Sequence, residues 1–504
     1  MVRGAYTLYA VLVIAAGLRS ALAGNVEVHI DTSKAVATVP EYFRGFTCDW
    51  WRHNNPHYGD DWRMAGMLTL DLTSTRLKKM FTNLVPALWR IGGTPEDEVV
   101  YAIGNAPECP PDQIQNSTNY PGPLCLTPER FKDIVMFAHE TGVHLAFGLS
   151  GAYGRASGKD NFNSTNSHEL LKYAAANKLP IFAFELSNEK NGWDPVKLGE
   201  DFNTVRGYIN ELWPDEATRP LLVGPDTAST PWMKTFFGTA GKSLNASTFH
   251  TYCNGYTTCE QTMLNPKVLD GCINAAVSTI EYTREGIPSN PNMPVWAGED
   301  GPHSGGGRPN CTDRFADAYW YLDHLATLAL HGVQAFARST MVGANYGLLN
   351  RTTFEPHPDY YAALLWGRLM GTSHLNVTTG SADGMLRAYT TCRNRSTVVI
   401  LLMNLDTEHN HTAMLAPPAS STRASSGSTA YQMVYMLAAT GGLEGMYADD
   451  VSFLQDGQFK VLRLGADDSL PDLTPTKDTF GQVNMPPLSY AFVELDSNAA
   501  TCSV

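Results

Sequence analysis

Eight short strand-like runs recur along the chain, at 43–49, 87–92, 143–149, 181–187, 221–225, 247–251, 294–298 and 335–339. Stretches of helical periodicity separate them. The clearest sets Phe315, Tyr319, Leu322, Leu325 and Ala329 on one face. Others cover 70–84, 128–141, 168–177, 195–213 and 360–370. Strands joined by helical crossovers run parallel. Such an alternation predicts either a closed (β/α)8 TIM barrel or an open doubly wound sheet, and eight units favour the barrel.

The pattern changes after Gly371. Runs at 385–390, 397–404, 431–435, 459–464 and 490–495 are short, with turn residues between them, and predict an antiparallel β-sandwich. Ala416 to Ser428 is rich in Ala, Ser and Pro and reads as a mobile loop. Ahead of the barrel, Val26-Glu27-Val28-His29-Ile30 alternates as a strand should. The expected division is a leader at 1–23, an N-terminal strand at 24–41, a catalytic barrel at 42–371 and the sandwich at 372–504.

The leader has Arg3, an uncharged apolar run from Ala5 to Gly17, and Ala21-Leu22-Ala23 before Gly24. That is the form of a secretory signal, too short to span a bilayer. No later stretch predicts a membrane helix. Eight N-x-[ST] sequons, at Asn116, Asn163, Asn245, Asn310, Asn350, Asn376, Asn394 and Asn410, fit the same route. So do nine cysteines. Cys109 and Cys125 bracket a Pro-rich loop and are expected to pair. Cys392 and Cys502 would tie the last strand to its domain. The partners of Cys253, Cys259, Cys272 and Cys311 stay open, and Cys48, inside a core strand, is expected to be the free buried thiol. No Cys-x-x-Cys or paired-His spacing points to a metal. A net charge of −14 argues against non-specific nucleic-acid binding.

Chemistry concentrates at strand ends. Phe182-Ala183-Phe184-Glu185-Leu186-Ser187-Asn188-Glu189 runs from an apolar strand into a carboxylate. Pro294-Val295-Trp296-Ala297-Gly298-Glu299 repeats the device. Glu189 follows the fourth predicted strand and Glu299 the seventh. In a barrel both then sit on the C-terminal rim, where active sites lie. Two carboxylates facing one another are the apparatus for glycosidic cleavage, one as acid/base and one as nucleophile. His250-Thr251-Tyr252 closes the sixth strand, where the Tyr252 hydroxyl can support Glu299. Arg90, ending the second strand, can reach Glu299 or brace the barrel. Glu185 reads as a structural, paired carboxylate.

These blocks together resemble glycoside hydrolase family 79, the heparanase-like and plant β-glucuronidase group. The resemblance is carried by Phe46-Thr47-Cys48-Asp49, Trp89-Arg90-Ile91-Gly92-Gly93-Thr94, Ser187-Asn188-Glu189, Phe249-His250-Thr251-Tyr252 and Gly298-Glu299. It continues through Ser304-Gly305-Gly306-Gly307, Asp313-Arg314-Phe315, Asn345-Tyr346-Gly347-Leu348-Leu349, His357-Pro358-Asp359-Tyr360-Tyr361 and Pro486-Pro487-Leu488-Ser489-Tyr490. It implies Glu189 as acid/base, Glu299 as nucleophile, and a glucuronate pocket of Asp49, Asn188, Tyr252, Gly305, Gly306 and Tyr346. It also implies that the sandwich takes up the N-terminal strand, and a Cys392–Cys502 bridge. Ser187 stands where this family usually has Gly, and Ser339 where it usually has Gln. Lys190 follows the acid/base, where a close ammonium would lower its pKa. Asp300, beside the nucleophile, would act oppositely on Glu299.

The resulting expectation is a secreted, retaining exo-β-glucuronidase that needs no cofactor and acts on glucuronic-acid-containing glycans or small glucuronides. Its address is extracellular or cell wall, with a lytic compartment as the alternative. No basic cluster for sulfated chains is visible at 125–135 or after Tyr252, which argues against an endo-acting heparanase. A glycan-binding protein without turnover is the rival from another class. Aglycone and oligomeric state stay open.

Overall fold

The computed structural model describes residues 24–52, 62, 64–104, 124–155, 157–227, 230–254, 258–286, 292–416, 431–439, 442–496 and 502. The leader, Cys109, Asn116 and nearly all of the expected mobile loop lie outside them. Among the described residues no helix is long and apolar enough to cross a membrane.

The eight expected strands form a closed barrel in chain order: Arg44–Asp49, Leu88–Gly92, His144–Leu149, Ala183–Leu186, Leu221–Thr227, Ala246–Tyr252, Val295–Gly301 and Ala335–Arg338. Every neighbouring pair is parallel. Alternation decides which side chains enter it. In the second strand Trp89 and Ile91 pack outward in the large core, while Leu88 faces the barrel interior and Arg90 shares its side. In the fourth, Phe184 and Leu186 face outward, Ala183 inward, and Glu185 follows Ala183. The lower interior is filled by small residues and by Trp296, whose ring stacks on Phe182 at 6.2 Å. Apolar packing thus closes the N-terminal end, and the polar inward residues collect toward the other rim.

The seventh strand contains a bulge. Ala297 pairs with Phe249, but the next partner of His250 is Glu299, so Gly298 is the extra residue. Simple alternation from Trp296 would send Glu299 out toward the helices and Asp300 into the barrel. The bulge reverses this. Glu299 faces inward, and Asp300 bonds His324 of the outer helix Asp317–Leu330 at 2.7 Å. Gly298 is also required sterically, because a Cβ there would lie 2.7 Å from an Asp226 oxygen.

The helices start and stop where local chemistry dictates. Pro128–Thr141 has Thr127 capping the Arg130 amide, Pro at its first turn, and Gly142 at φ 84° as its left-handed stop. Three helices among the described residues were not revealed by sequence periodicity, Thr230–Ala240, Cys259–Met263 and Pro266–Gly286.

The second domain is one hydrogen-bonded sheet of eleven strands. Asn25–Thr38 joins it, antiparallel to Ser373–Thr379 and parallel to His411–Leu415. The expected uptake of the N-terminal strand is therefore present, and it brings a parallel pair into a mainly antiparallel sheet. Thr397–Asn404 is apolar on both faces for a reason. Val398, Ile400 and Leu402 line the sheet's own core, while Val399, Leu401 and Met403 belong to the core shared with the barrel. Strand Ser489–Asp496 divides its side chains the same way.

Cys392 is bonded to Cys502. Cys253–Cys272 and Cys259–Cys311 resolve the four cysteines whose partners the sequence left open. The second of these staples the loop after the sixth barrel strand to the loop after the seventh. Among the described cysteines Cys48 is the free buried thiol, its pKa pushed up to about 12 by burial. Of the described sequons, Asn163, Asn245, Asn310, Asn376, Asn394 and Asn410 are exposed and Asn350 is half-buried.

Leu401 is fully buried where the sheet meets the barrel. Leu401→Ala is expected to cost about 2–5 kcal/mol, through lost burial and the cavity left behind. Lys460→Ala, on an exposed hairpin, is expected to be neutral. Urea unfolding of the two variants checks this.

Candidate active site

Arg90 lies at the centre of the polar rim, its side chain 1% exposed. Its guanidinium gives Nε–H to Glu185 at 2.7 Å, Nη1–H to Glu299 at 2.8 Å and Nη2–H to the Asn188 side chain at 2.9 Å. Asp226 stands 3.8 Å from Nη2. Both readings of Arg90 from the sequence therefore hold, since it braces the barrel through Glu185 and also holds Glu299. Burial pushes the Glu185 carboxyl up to about 8, against the pull of Arg90.

Glu299 receives a second donor, the Tyr252 hydroxyl at 2.6 Å. Ser339, where the resemblance led one to expect Gln, is 3.0 Å from the same hydroxyl. Burial, Glu299 and Tyr346 together push the Tyr252 phenol well above its usual range, so it stays a donor. Asp49 flanks the group. Burial and the neighbouring charge of Glu299 raise its pKa well above the carboxylate range. Gly93 makes room for it: φ is 96°, and a Cβ there would fall 1.9 Å from an Asp49 oxygen.

Glu189 projects from a sharp corner. Ser187 at φ 63° and Glu189 at φ 54° both adopt the left-handed region, which is costly for side chains of this kind. A glycine would adopt the backbone of position 187 without that cost. The corner is pinned from behind. Asp97 accepts N–H bonds from Asn188 and Gly151, each at 3.0 Å, and pairs with the Lys190 ammonium at 2.9 Å. Lys190 is thereby held on Asp97, and Asp300 on His324. The Glu189 amide bonds the Asp226 carbonyl at 2.9 Å.

His250 bridges the remaining groups, Nδ1 at 2.9 Å from Glu189 and Nε2 at 3.2 Å from Asp226. Burial works against its charge, but Glu299, Asp226 and Glu189 prevail and raise its pKa to about 10. In turn burial raises Glu189, but the hydrogen bond and charge of His250 outweigh it and hold Glu189 below its usual value. Oxygens of Glu189 and Glu299 and a His250 nitrogen all lie within 4.8 Å of one another. By donor type that cluster suits a cation. Its imidazole nitrogens are already bonded, however, and Arg90 adds a positive charge, so the array is built for protons.

The Gly305 and Gly306 backbones, at φ 70° and 83°, form a left-handed turn. The Gly306 carbonyl accepts the Asn345 amide at 2.8 Å, and Tyr346 packs against Gly307. Every residue expected in the pocket therefore lies on loops or strand ends of the one rim.

The profile of glycosyl hydrolase family 79, N-terminal domain, matches residues 25–326. The chain belongs to glycosyl hydrolase family 79. It is 32% identical to heparanase-like protein 3 of Arabidopsis thaliana, over 77% of this chain and 75% of that one. It is 26% identical to baicalin-beta-D-glucuronidase of Scutellaria baicalensis, over 91% and 90%. It is 28% identical to bovine (Bos taurus) heparanase, over 73% and 67%. The fold is shared with a 4-O-alpha-L-rhamnosyl-beta-D-glucuronidase of Fusarium oxysporum 12S, with TM-score 0.64 at 14% identity, covering 93% of this chain and all of that one. As a member of family 79 the protein is a glycoside hydrolase.

The sequence did not reveal Asp97 or Asp226. Each had a weak signal: Asp97 lies in the acidic run after Gly92-Gly93, and Asp226 directly follows the predicted fifth strand. Asp97→Ala removes the pin behind Asn188 and Glu189. On any aryl glycoside that wild type cleaves, kcat is expected to fall roughly 10- to 100-fold from misplacement of the carboxylate. KM should change little. Steady-state kinetics with a parallel thermal melt checks this.

Proposed function

We propose that the protein is a retaining exo-β-glucuronidase with Glu189 as acid/base and Glu299 as nucleophile. One observation carries the reading. The two carboxylates approach within 4.8 Å, and retaining enzymes keep them about 5–5.5 Å apart whereas inverting ones leave room for a water. Their environments differ in exposure and in hydrogen-bond partners. Glu299 is 15% exposed and held by Arg90 and Tyr252, a setting for an ionised nucleophile. Glu189 is 40% exposed and reaches toward solvent, where a leaving group departs.

In this mechanism Glu299 attacks the anomeric carbon while the leaving oxygen takes a proton from the Glu189 side. A glycosyl-enzyme ester forms on Glu299. Glu189 then accepts a proton from water, whose oxygen displaces Glu299 with retention. Asn188, fixed by Arg90, is placed to bond a sugar hydroxyl. Asp49, Tyr252 and Tyr346 supply further polar contacts. The backbone of Gly305 and Gly306 offers donors to the sugar carboxylate. Glucuronide as substrate is supported by the relatives named for that activity and by these pocket residues. A preference against sulfated, polyanionic chains is supported by the net charge of −14 and by the engagement of Arg90 and Lys190 with carboxylates. Three disulfides among the described residues, and exposed sequons, support secretion.

The test compares wild type, Glu299→Gln and Glu189→Gln on 4-nitrophenyl β-glucuronide and on heparan sulfate. Wild type is expected to cleave the small glucuronide, and Glu299→Gln to lose at least about three orders of magnitude in kcat. Cleavage of heparan sulfate alone would select the endo reading. Cleavage of neither would select a binding protein.

A further inference from the structure

We propose that Asp226 and His250 form a proton-storing pair behind Glu189, so that the proton delivered to the leaving group resides on His250 in the resting enzyme. This rests on the function proposed above. The geometry is a line of three groups from three strand ends. Glu189 follows the fourth strand, His250 stands near the end of the sixth, and Asp226 near the end of the fifth. His250 Nδ1 is 2.9 Å from Glu189 Oε1, and Nε2 is 3.2 Å from Asp226 Oδ1. A carboxylate at each nitrogen favours the doubly protonated ring, because each N–H then has an anionic acceptor. The imidazole is 1% exposed and Asp226 fully buried, so water does not compete for the bond between them.

Other charged groups also act on His250. Glu299 on the seventh strand adds to its positive charge, and Arg90 on the second opposes it. Glu185 and Asp300 feel the imidazolium from the fourth and seventh strands. Arg90 is spent on Glu185, Glu299 and Asn188. Asp226 is held as an anion by Arg90, by His250 and by the Thr248 hydroxyl, which together outweigh its burial. It is thus a fixed negative charge, and Gly298 is the residue that leaves space for it.

The proton balance closes. At rest, His250 carries protons on both nitrogens and Glu189 is ionised. In glycosylation the Nδ1 proton passes to Glu189 Oε1 and on to the glycosidic oxygen. The C1–O bond breaks with its electron pair on that oxygen, and a Glu299 oxygen bonds C1. His250 is then neutral, with its remaining proton held on Nε2 by Asp226. In deglycosylation, water gives a proton to Glu189 and so back to Nδ1. The water oxygen bonds C1, and the C1–Glu299 bond breaks with its pair on Glu299. Asp226 is a positioning residue in this scheme, because it touches neither sugar nor water.

The pair is tested by the pH profile and by leaving-group dependence. Asp226→Asn removes the fixed charge at constant shape, so His250 should release its proton at lower pH. The alkaline limb of kcat/KM for phenyl β-glucuronide is expected to move down by about one pH unit or more. 2,4-Dinitrophenyl β-glucuronide has a leaving group that needs no proton, and its turnover should stay within a few fold of wild type. A variant profile that overlays wild type, with equal losses on both substrates, would overturn the proposal. Nitrogen NMR of wild type labelled with 15N-histidine tests it without turnover or a variant fold, the signal being assigned by its loss in His250→Asn. His250 is expected to keep both ring protons through pH 8, and titration near the ordinary histidine value would overturn the pair. If wild type cleaves no glucuronide, the substrate reading fails, while the NMR result still decides the pair.

Discussion

The buried guanidinium of Arg90 is the interaction on which the rest depends. A cation with its side chain 1% exposed survives only if anions and acceptors surround it. Glu185, Glu299, Asn188 and Asp226 do so from three other strands or strand ends. One group therefore sets the spacing between the fourth, fifth and seventh strands and the position of Glu299. A charge cluster of this kind contributes little net stability by itself. What it contributes is register: with Arg90 in place, the carboxylate facing the pocket cannot relax away without leaving a charge unpaired.

Around that centre the backbone is shaped to let side chains in. The bulge at Gly298 turns Glu299 inward and Asp300 outward. Gly93 clears a volume for Asp49. The corner at Ser187–Glu189 takes two left-handed residues and is held by Asp97 from below and the Asp226 carbonyl from the side. Local cost is concentrated where the chemistry is, and the surrounding hydrogen bonds hold it there. The disulfide between Cys259 and Cys311 adds a covalent tie between the loops that follow Tyr252 and Glu299.

Much of this was legible in the sequence, for identifiable reasons. The eight barrel strands were found because each is buried on both faces and reads as an apolar run. Pro128–Thr141 was found at both ends because Thr127, Pro128 and Gly142 carry its start and stop signals. Glu189 and Glu299 were found because strand ends of a barrel converge on one rim. The failures have causes as clear. Glu299 was identified without the cause of its inward orientation, a bulge that alternation cannot show. The restraint on Lys190 depends on Asp97, distant in sequence. Asp226 escaped notice because it gains its meaning only from Arg90 and His250, which approach it across the barrel. The sandwich was recognised as a class, but several of its short strands were not. Their periodicity is too brief to stand out, and their pairing partners, such as Asn25–Thr38 with Ser373–Thr379, lie at opposite ends of the chain.

The central claim is that Glu299, held by Arg90 and Tyr252, is the residue that bonds the sugar. It is tested most directly by reacting the protein with 2-deoxy-2-fluoro-β-glucuronyl fluoride and mapping the labelled peptide by mass spectrometry. A covalent fluoroglucuronyl ester on Glu299, formed as activity is lost, is the predicted result. A label on Glu189 or Asp49, or inactivation with no covalent label at all, would contradict the account.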